Sequence, residues 1–182
     1  MTDRRQQILD TAAELFAERG FHGVSVHDIG AACGISGPAL YKHFKDKGEL
    51  LSASLTDISE TLLKEGSARA AAAESPSEAL DALIDWHVEF ALRHPALIVV
   101  QDREWTNLAT TARRDVRALQ LSYIDVWVDT VQAIRPELDH GTARAAVQAT
   151  FGLLNSTPHS ARIGPTEMRA LLIEMAHRSL AG

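Results

Sequence analysis

The fold of this chain is decided by one stretch near the amino terminus, which reads Ser25-Val-His-Asp-Ile-Gly-Ala-Ala-Cys-Gly-Ile-Ser-Gly-Pro-Ala-Leu-Tyr-Lys-His-Phe44. Ser25 is followed three residues later by Asp28, which is the pattern of a capping box with Asp in place of the usual Glu. The pattern predicts a short helix that buries Val26, Ile29 and Cys33. Cys33 is expected to be a small core residue, and a redox-sensing thiol is the alternative.

The second half of the stretch predicts a turn and another short helix. Gly34-Ile35-Ser36 is typical of a tight turn, and Leu40 and Phe44 mark the buried side of the helix that follows. Two short helices joined by a glycine-containing turn form a helix-turn-helix. The second helix exposes Tyr41-Lys42-His43, a set of hydrogen-bond donors that can lie in the DNA major groove. A purely structural bundle is the competing interpretation, and it leaves this exposed cluster unexplained.

Outside this stretch, apolar residues recur at helical spacing along almost the whole chain. Capping patterns at Asp46–Glu49 and Ser75–Glu78 predict two helix starts, and Pro95 and Pro136 predict two helix ends. No useful period-two pattern of a strand is present. The sequence therefore predicts an all-α protein of about nine helices, with a DNA-binding domain in residues 1–51 and a larger helical domain in residues 52–182.

Composition and charge narrow the class of protein. The single cysteine excludes an intrachain disulfide, and together with a polar amino terminus that lacks an apolar signal core it predicts a cytoplasmic protein. The net charge of −6 argues against strong nonspecific binding of nucleic acid. Local placement of charge matters more than the sum, and residues 1–50 are almost neutral, with six basic and seven acidic side chains.

The segment from Arg4 to Leu51 resembles the DNA-binding domain of the TetR family of transcriptional regulators. Four elements carry the resemblance: Phe16-Ala-Glu-Arg-Gly-Phe21, Ile29-Gly-Ala-Ala-Cys-Gly-Ile-Ser36, Leu40-Tyr-Lys-His-Phe44 and Lys47-Gly-Glu-Leu-Leu51. Each element alone is weak, but together they are highly specific and cover about a quarter of the chain. The resemblance implies a double-stranded DNA operator as partner and a variable second domain for ligand binding and dimerisation.

The resemblance also implies which residues meet DNA. Ser25 caps the first helix of the motif and contacts phosphate, and His27 can reach a base edge. Pro38 offers an apolar surface to a thymine methyl group, and Lys47 donates to phosphate from the start of the next helix. The full set expected to bind DNA is Ser25, His27, Ser36, Gly37, Pro38, Tyr41, Lys42, His43 and Lys47. Gly37 stands where many relatives carry a base-reading side chain, so His27, Lys42 and operator shape would carry more of the specificity.

The second domain contains the candidate effector pocket and the candidate dimer interface. Its aromatic residues are more often core than pocket, but aromatics with a few polar groups also line ligand cavities. The predicted pocket set is Trp86, Phe90, Arg103, Trp105, Gln120, Tyr123, Trp127, Phe151, Asn155 and His159. The last two helices are expected to form a homodimeric four-helix bundle through Ala145, Ala146, Ala149, Gly152, Leu153, Leu171, Leu172 and Met175.

The sequence thus predicts a ligand-responsive regulator, a repressor that binds a pseudo-palindromic operator as a dimer and is released by a small, largely apolar effector. An acyl or lipid-like effector is the first expectation, and an aromatic drug or antibiotic is the other. A helical small-molecule-binding protein without operator binding is the alternative function. A helical enzyme has less support, because no nucleophile or metal-binding pattern is present, and no metal or cofactor is predicted.

Overall fold

The computed structural model describes residues 4–181, and within this range every regular element is helical. The helices are α1 Arg4–Arg19, α2 Val26–Ala32, α3 Gly37–Tyr41, α4 Lys47–Ala72, α5 Pro76–Arg93, α6 Pro95–Glu104, α7 Thr110–Ile134, α8 His140–Leu154, α9 Thr157–Ser160 and α10 Pro165–Leu180. A 3₁₀ turn follows α6 at Trp105–Asn107. Since α9 is a single turn of four residues, the prediction of an all-α chain with about nine helices is confirmed.

The helices α2, α3, α5 and α8 begin where a short polar side chain accepts a hydrogen bond from a free backbone amide of the first turn. Ser25 and Ser75 accept hydrogen bonds from the backbone N–H groups of Asp28 and Glu78, and Pro76 occupies the first turn of α5. The two proline-based helix ends are also confirmed, because α5 ends at Arg93 and α7 ends at Ile134.

The chain divides into two compact units that differ from the predicted domains. The first unit extends to Ile58 and also takes in Ala96–Arg117, and the second contains Ser59–Pro95 and the residues from Ala118 onward. The long helices α4 and α7 each contribute residues to both units. The prediction of a single boundary at residue 51 therefore omits a later segment of chain from the amino-terminal unit.

That later segment completes the core of the first unit. Ile8, Phe16, Ile29 and Leu40 of the first three helices are buried together with residues that lie far along the chain. These are Val100 on α6, Leu108 after the 3₁₀ turn, and Val116 on α7. Cys33 is buried in the same core, as predicted.

The second unit has its own core, in which α10 packs against α5 and α8. Leucine and valine side chains from these helices surround Trp127 of α7, which is fully buried. None of the described helices is long and apolar enough to cross a membrane.

Candidate functional site

The helix-turn-helix in the first unit depends on close approach of backbone at Gly30. A Cβ atom added at Gly30 would stand 3.0 Å from the carbonyl oxygen of Ile35, in the turn that leads to α3. Gly34 in the same turn has φ +66°, a left-handed conformation that residues with a side chain rarely adopt. The turn is closed by a hydrogen bond from the Ile35 N–H to the Gly30 carbonyl oxygen, at 2.9 Å. The two helices are thus held at a fixed angle by backbone contacts.

Most of the residues predicted to bind DNA lie on α3 or directly beside its two ends. Leu40 and Phe44 are buried in the core, whereas Tyr41 between them is 56% exposed. The other exposed residues of the predicted set are Ser25, His27, Ser36, Pro38, Lys42 and His43. Gly37 is half-buried at the start of α3, where a Cβ atom would meet no neighbour. The structure therefore brings the predicted residues of α3 together on one solvent-facing surface.

Ser25 caps α2 as predicted, and the cap engages both its hydroxyl group and its backbone N–H. Its hydroxyl accepts from the Asp28 backbone N–H at 3.1 Å and donates to the Asp28 carboxylate. Its backbone N–H donates to the same carboxylate at 2.8 Å. These hydrogen bonds lower the pKa of Asp28, so the carboxylate is ionised at neutral pH. A phosphate contact by Ser25 stays a prediction, and it would have to displace this cap.

Lys47 has a structural role that the sequence did not indicate. Its ammonium group donates to the carbonyl oxygens of Phe21 at 2.6 Å and Val24 at 2.8 Å, and lies 4.3 Å from the centre of the Phe21 ring. The start of α4 is thereby fastened to the segment that connects α1 and α2. The predicted phosphate contact of Lys47 is untested, and it would compete with these two hydrogen bonds.

The predicted pocket residues do not form one group. Arg103 and Trp105 lie in the first unit, where Arg103 donates to the Ala17 carbonyl oxygen and Trp105 packs against the helix-turn-helix core. His159 is exposed and Gln120 is half-buried. Trp86 packs apart from the other rings, with its indole N–H directed at the Leu62 carbonyl oxygen and the Arg69 guanidinium over its face. The ten residues are thus divided between the two units, and a shared pocket stays a prediction.

The rest of the set surrounds a residue that was not predicted as a pocket residue, His87 of α5. The imidazole stacks on the ring of Phe151, with 4.5 Å between centroids, and lies nearly parallel to Tyr123 at 5.8 Å. Phe90 and Trp127 meet the imidazole edge-on, at 5.6 and 5.9 Å. We call these five residues the aromatic cluster. A histidine at helical spacing from Leu83, Ile84 and Phe90 on an apolar face is the signal that could have identified its centre.

The aromatic cluster contains buried polar atoms in a neutral setting. The His87 Nε2 lies 3.1 Å from Asn155 Oδ1, which can only accept, so Nε2 carries the hydrogen of the neutral ring and Nδ1 is a bare acceptor. Burial lowers the pKa of His87 to about 4, and burial raises the pKa of Tyr123, against the smaller opposing effects of a hydrogen bond with Trp127 and of the positive charge of Arg69. Both side chains are therefore uncharged at neutral pH. Within the described residues, His87 Nδ1 has no hydrogen-bond partner, whereas the Tyr123 hydroxyl and Trp127 Nε1 are paired with each other in an irregular geometry.

The predicted dimer face is exposed in part. Leu171 and Met175, one helical turn apart on α10, are each 42% exposed, and Ala145, Ala149 and Gly152 of α8 also face solvent. Leu172, in contrast, is only 2% exposed because it packs inside the core of the second unit. The expectation that Leu172 supplies interface area is therefore corrected, since its neighbours Leu171 and Met175 point outward instead.

Two further features of the described residues limit the chemistry. They contain no group of three or more His, Cys, Asp or Glu side chains placed to hold a metal ion. An open groove of about 350 Å³ is lined by residues of α4, α5 and α7, such as Asp129, and by Glu74 and Ser75 of the connection between α4 and α5. It includes none of the predicted pocket residues.

The fold and the exposed face of α3 define a helical DNA-binding protein of the helix-turn-helix class. Comparison with known families identifies the particular one: residues 8–54 match the family described as bacterial regulatory proteins, tetR family, and residues 73–159 match the tetracyclin repressor-like C-terminal domain. The chain belongs to the TetR family of transcriptional regulators and is not an enzyme.

Relatives and solved structures agree with this assignment. The chain is 31% identical over 143 residues to the HTH-type transcriptional repressor KstR2 of Mycolicibacterium smegmatis, covering 75% of this chain and 70% of that protein. The structure of the ketosteroid transcriptional regulator KstR2 of Mycobacterium tuberculosis aligns with a TM-score of 0.83 at 25% identity, over 100% of this chain and 95% of the other. A TetR-family regulator from Bordetella parapertussis, at 24% identity, shares the fold with a TM-score of 0.85 over 100% and 96% of the two chains.

Proposed function

We propose that this protein is a ligand-responsive repressor that binds a pseudo-palindromic DNA operator as a homodimer and is released by a small, largely apolar effector. Its place of action is then the cytoplasm, where the operator DNA of a bacterium lies. The observation that carries operator binding is the outer face of α3, on which Tyr41 is exposed between two buried residues.

The chemistry of that face supports binding in the major groove. Lys42 and His43 supply donors for phosphate oxygens, and the Tyr41 hydroxyl can donate to the same backbone. Pro38 presents an apolar surface to a thymine methyl group, and the exposed His27 on α2 can reach a base edge. The close backbone contact between Gly30 and Ile35 holds α2 and α3 together. The DNA-contacting side chains of the two helices therefore approach DNA in one rigid arrangement.

A second copy of the chain is the proposed partner of α8 and α10. Leu171 and Met175 form an exposed apolar strip on α10, which costs free energy when it faces water. The exposed face of α8 carries small residues, so another helix can approach it closely; these residues are Ala145, Ala149 and Gly152. Two such helix pairs related by a two-fold axis form a four-helix bundle, and a symmetric dimer matches the symmetry of a pseudo-palindromic operator.

Two observations support control by a ligand: the aromatic cluster, and the ligands that appear in the names of related proteins. KstR2 of Mycobacterium tuberculosis is described as a ketosteroid regulator, and the regulator AibR, which shares the fold, was solved with isovaleryl coenzyme A and operator DNA. A buried cluster of rings in which the His87 Nδ1 has no hydrogen-bond partner resembles such sites in being apolar with a few polar groups.

The test of operator binding is fluorescence anisotropy with DNA from the region upstream of the protein's own gene, over a range of salt concentrations. We expect Lys42→Met to weaken binding and to reduce the salt dependence by about one unit, because one phosphate contact is lost. Lys64→Met is the matched control, since Lys64 is an exposed lysine of the second unit and its loss should change neither quantity. Equal specific binding by the wild-type protein and both variants would remove Lys42 from the phosphate contacts. No specific binding at all would support the alternative of a ligand-binding protein without an operator.

A further inference from the structure

Glu104, the last residue of α6, is the only acidic side chain that is buried among the described residues, and it is 7% exposed. No lysine, arginine or histidine of the described chain lies within ion-pair distance of its carboxylate. A buried charge without a counter-charge is unfavourable unless hydrogen bonds compensate for the lost water. The hydrogen-bond partners of Glu104 therefore indicate why the end of α6 carries a carboxylate.

One of these partners belongs to the helix-turn-helix domain. The Oε1 atom of Glu104 accepts a hydrogen bond from the backbone N–H of Phe21, at 3.1 Å. Its Oε2 atom accepts from the side-chain amide of Asn107 at 2.7 Å, in the 3₁₀ turn that follows α6. Phe21 lies in the α1–α2 connection, by which we mean residues 20–25. The carboxylate thus joins the end of α6 to the α1–α2 connection.

The Phe21 N–H needs a partner from elsewhere because of the way α1 ends. In a continuing helix it would donate to the carbonyl oxygen of Ala17. Gly20 instead adopts φ +73°, which turns the chain out of the helix and separates these two groups. The end of α6 supplies both missing partners, since Arg103 donates to the Ala17 carbonyl oxygen at 3.2 Å and Glu104 accepts from the Phe21 N–H. Two adjacent residues of α6 therefore cap the carboxyl end of α1.

The other backbone group of Phe21 is held by the opposite charge. Its carbonyl oxygen accepts from the Lys47 ammonium group at 2.6 Å. A carboxylate thus lies at the Phe21 N–H and an ammonium group at its carbonyl oxygen, and hydrogen bonds to charged groups are stronger than those between neutral groups. The position of Phe21 is therefore determined by two separate helices, α6 and α4.

The α1–α2 connection leads directly into a helix that is expected to meet DNA. Ser25 caps α2 four residues after Phe21, and His27 in the first turn of α2 is exposed. A displaced connection would displace the start of α2 together with these side chains. If the arrangement that binds DNA is populated only in part, the apparent affinity falls in proportion to its population.

We propose that Glu104 is a positioning residue for operator binding, which holds the Phe21 N–H so that α2 begins where DNA requires it. Glu104 acts through the α1–α2 connection and does not itself touch DNA. This role rests on the proposed function. It gives α6 a part in operator binding, whereas the sequence predicts only a pocket residue, Arg103, in that helix.

The test compares Glu104→Met with Glu104→Gln in the full-length protein, by fluorescence anisotropy with DNA from upstream of its own gene. Both substitutions remove the charge and keep a side chain of similar length, but only glutamine retains an oxygen that accepts from the Phe21 N–H. We expect Glu104→Met to weaken operator binding about tenfold, as it would if the competent arrangement fell to about a tenth of the molecules. Glu104→Gln should stay within about twofold of the wild type. Asp102→Met is the matched control, because it removes an exposed carboxylate from the same helix, and it should not weaken binding.

Circular dichroism establishes that each variant is folded at the temperature of the binding assay. Equal operator affinities of folded Glu104→Met and Glu104→Gln would overturn the proposal, because the hydrogen bond to Phe21 would then contribute to the fold alone. Hydrogen exchange of the Phe21 amide, followed by nuclear magnetic resonance, gives a local measurement. We expect faster exchange in Glu104→Met than in Glu104→Gln, and equal exchange in these two variants would also overturn the proposal.

Asn107→Ala decides the question if Glu104→Met does not fold. Asn107 is half-buried, and its loss removes the donor that orients the Glu104 carboxylate without placing a new group in the core. We expect operator binding about threefold weaker than that of the wild type. An operator affinity equal to that of the wild type would overturn the proposal.

The wild-type protein and Lys42→Met distinguish failure of this proposal from failure of the proposed function. If the wild-type protein binds no operator specifically, the proposed function is refuted and the role of Glu104 is refuted with it. If Lys42→Met weakens operator binding and Glu104→Met does not, only the role of Glu104 is overturned.

Discussion

Replacing Lys47 by Met separates a structural role at the start of α4 from a role in binding DNA. Methionine keeps most of the aliphatic stem and removes the ammonium group that donates to the Phe21 and Val24 carbonyl oxygens. The contact with the Phe21 ring is lost as well. Because both carbonyl groups belong to the segment between α1 and α2, the substitution loosens the connection that positions the helix-turn-helix.

The size of the effect follows from the contacts. A hydrogen bond from a charged donor contributes roughly 1.5–3 kcal/mol when it is well buried. Lys47 is only half-buried, and water can reach the freed carbonyl groups, so the two bonds together contribute about 2 kcal/mol. The cation–π contact at a partly exposed site adds about 0.5 kcal/mol. We therefore expect a loss of about 2–3 kcal/mol in the free energy of unfolding, or roughly 5–10 °C in melting temperature for a chain of this size.

The assay combines urea unfolding with the salt dependence of operator binding. For Lys47→Met we expect lower stability and an unchanged salt slope, whereas Lys42→Met should retain full stability and shallow the slope by about one unit. A Lys47 variant that is as stable as the wild type and has a slope shallower by about one unit would refute the structural role. It would show instead that Lys47 binds phosphate.

Two further predictions concern the second unit. The pKa of His87 is about 4 in the folded protein, against 6.5 for a histidine side chain exposed to water, so between these values the unfolded chain binds a proton that the folded chain does not. The free energy of unfolding should therefore fall by about 3 kcal/mol as pH decreases from 6.5 to 4. We expect His87→Leu to remove this part of the pH dependence, whereas the control His159→Leu, at an exposed site, should retain it. Equal urea-unfolding profiles across pH for all three proteins would contradict this prediction. The Leu171→Glu variant should be a folded monomer, whereas the Leu172→Glu variant should not fold because the substitution places a charge in the core. Light scattering measures the oligomeric state and circular dichroism measures the helix content of both variants. A stable dimer of the Leu171→Glu variant would place the interface elsewhere.

The helix-turn-helix could be predicted from sequence because its determinants are local. The capping box at Ser25, the left-handed turn at Gly34 and the spacing of Leu40 and Phe44 all act within a few residues of one another. The same holds for the helix ends before Pro95 and Pro136. Each of these features is determined by backbone geometry that a short segment specifies alone.

The arrangement of distant segments could not be predicted in this way. Helical periodicity shows that Trp105 and Val100 prefer burial, but it does not show that they complete the core beneath α1–α4. For the same reason the sequence predicts Arg103 as a pocket residue, although its guanidinium group donates a hydrogen bond to the carbonyl oxygen of Ala17. Leu171 and Leu172 are adjacent and equally apolar, and only the packing of α10 against α5 and α8 determines which one is buried.

The hydrogen-bond and stacking partners of the functional polar side chains could not be predicted from sequence, because these partners come from other parts of the chain. The Lys47 ammonium donates hydrogen bonds to two carbonyl groups more than twenty residues earlier in the chain. No sequence pattern indicates such a contact. His87 stands at helical spacing from apolar residues of its own helix, but the rings of Phe151 and Tyr123 that stack beside it come from other helices. Its hydrogen bond to Asn155 joins residues 68 positions apart.

The most direct test of the central claim is a hydroxyl-radical footprint of the full-length protein on DNA from upstream of its own gene. We expect two protected half-sites related by dyad symmetry, with centres one helical turn of about 34–36 Å or a multiple of it apart. Protection should be lost with Lys42→Met at a salt concentration where Lys64→Met still protects both half-sites. A uniform or absent footprint, or one that does not distinguish these two variants, would contradict operator binding through α3.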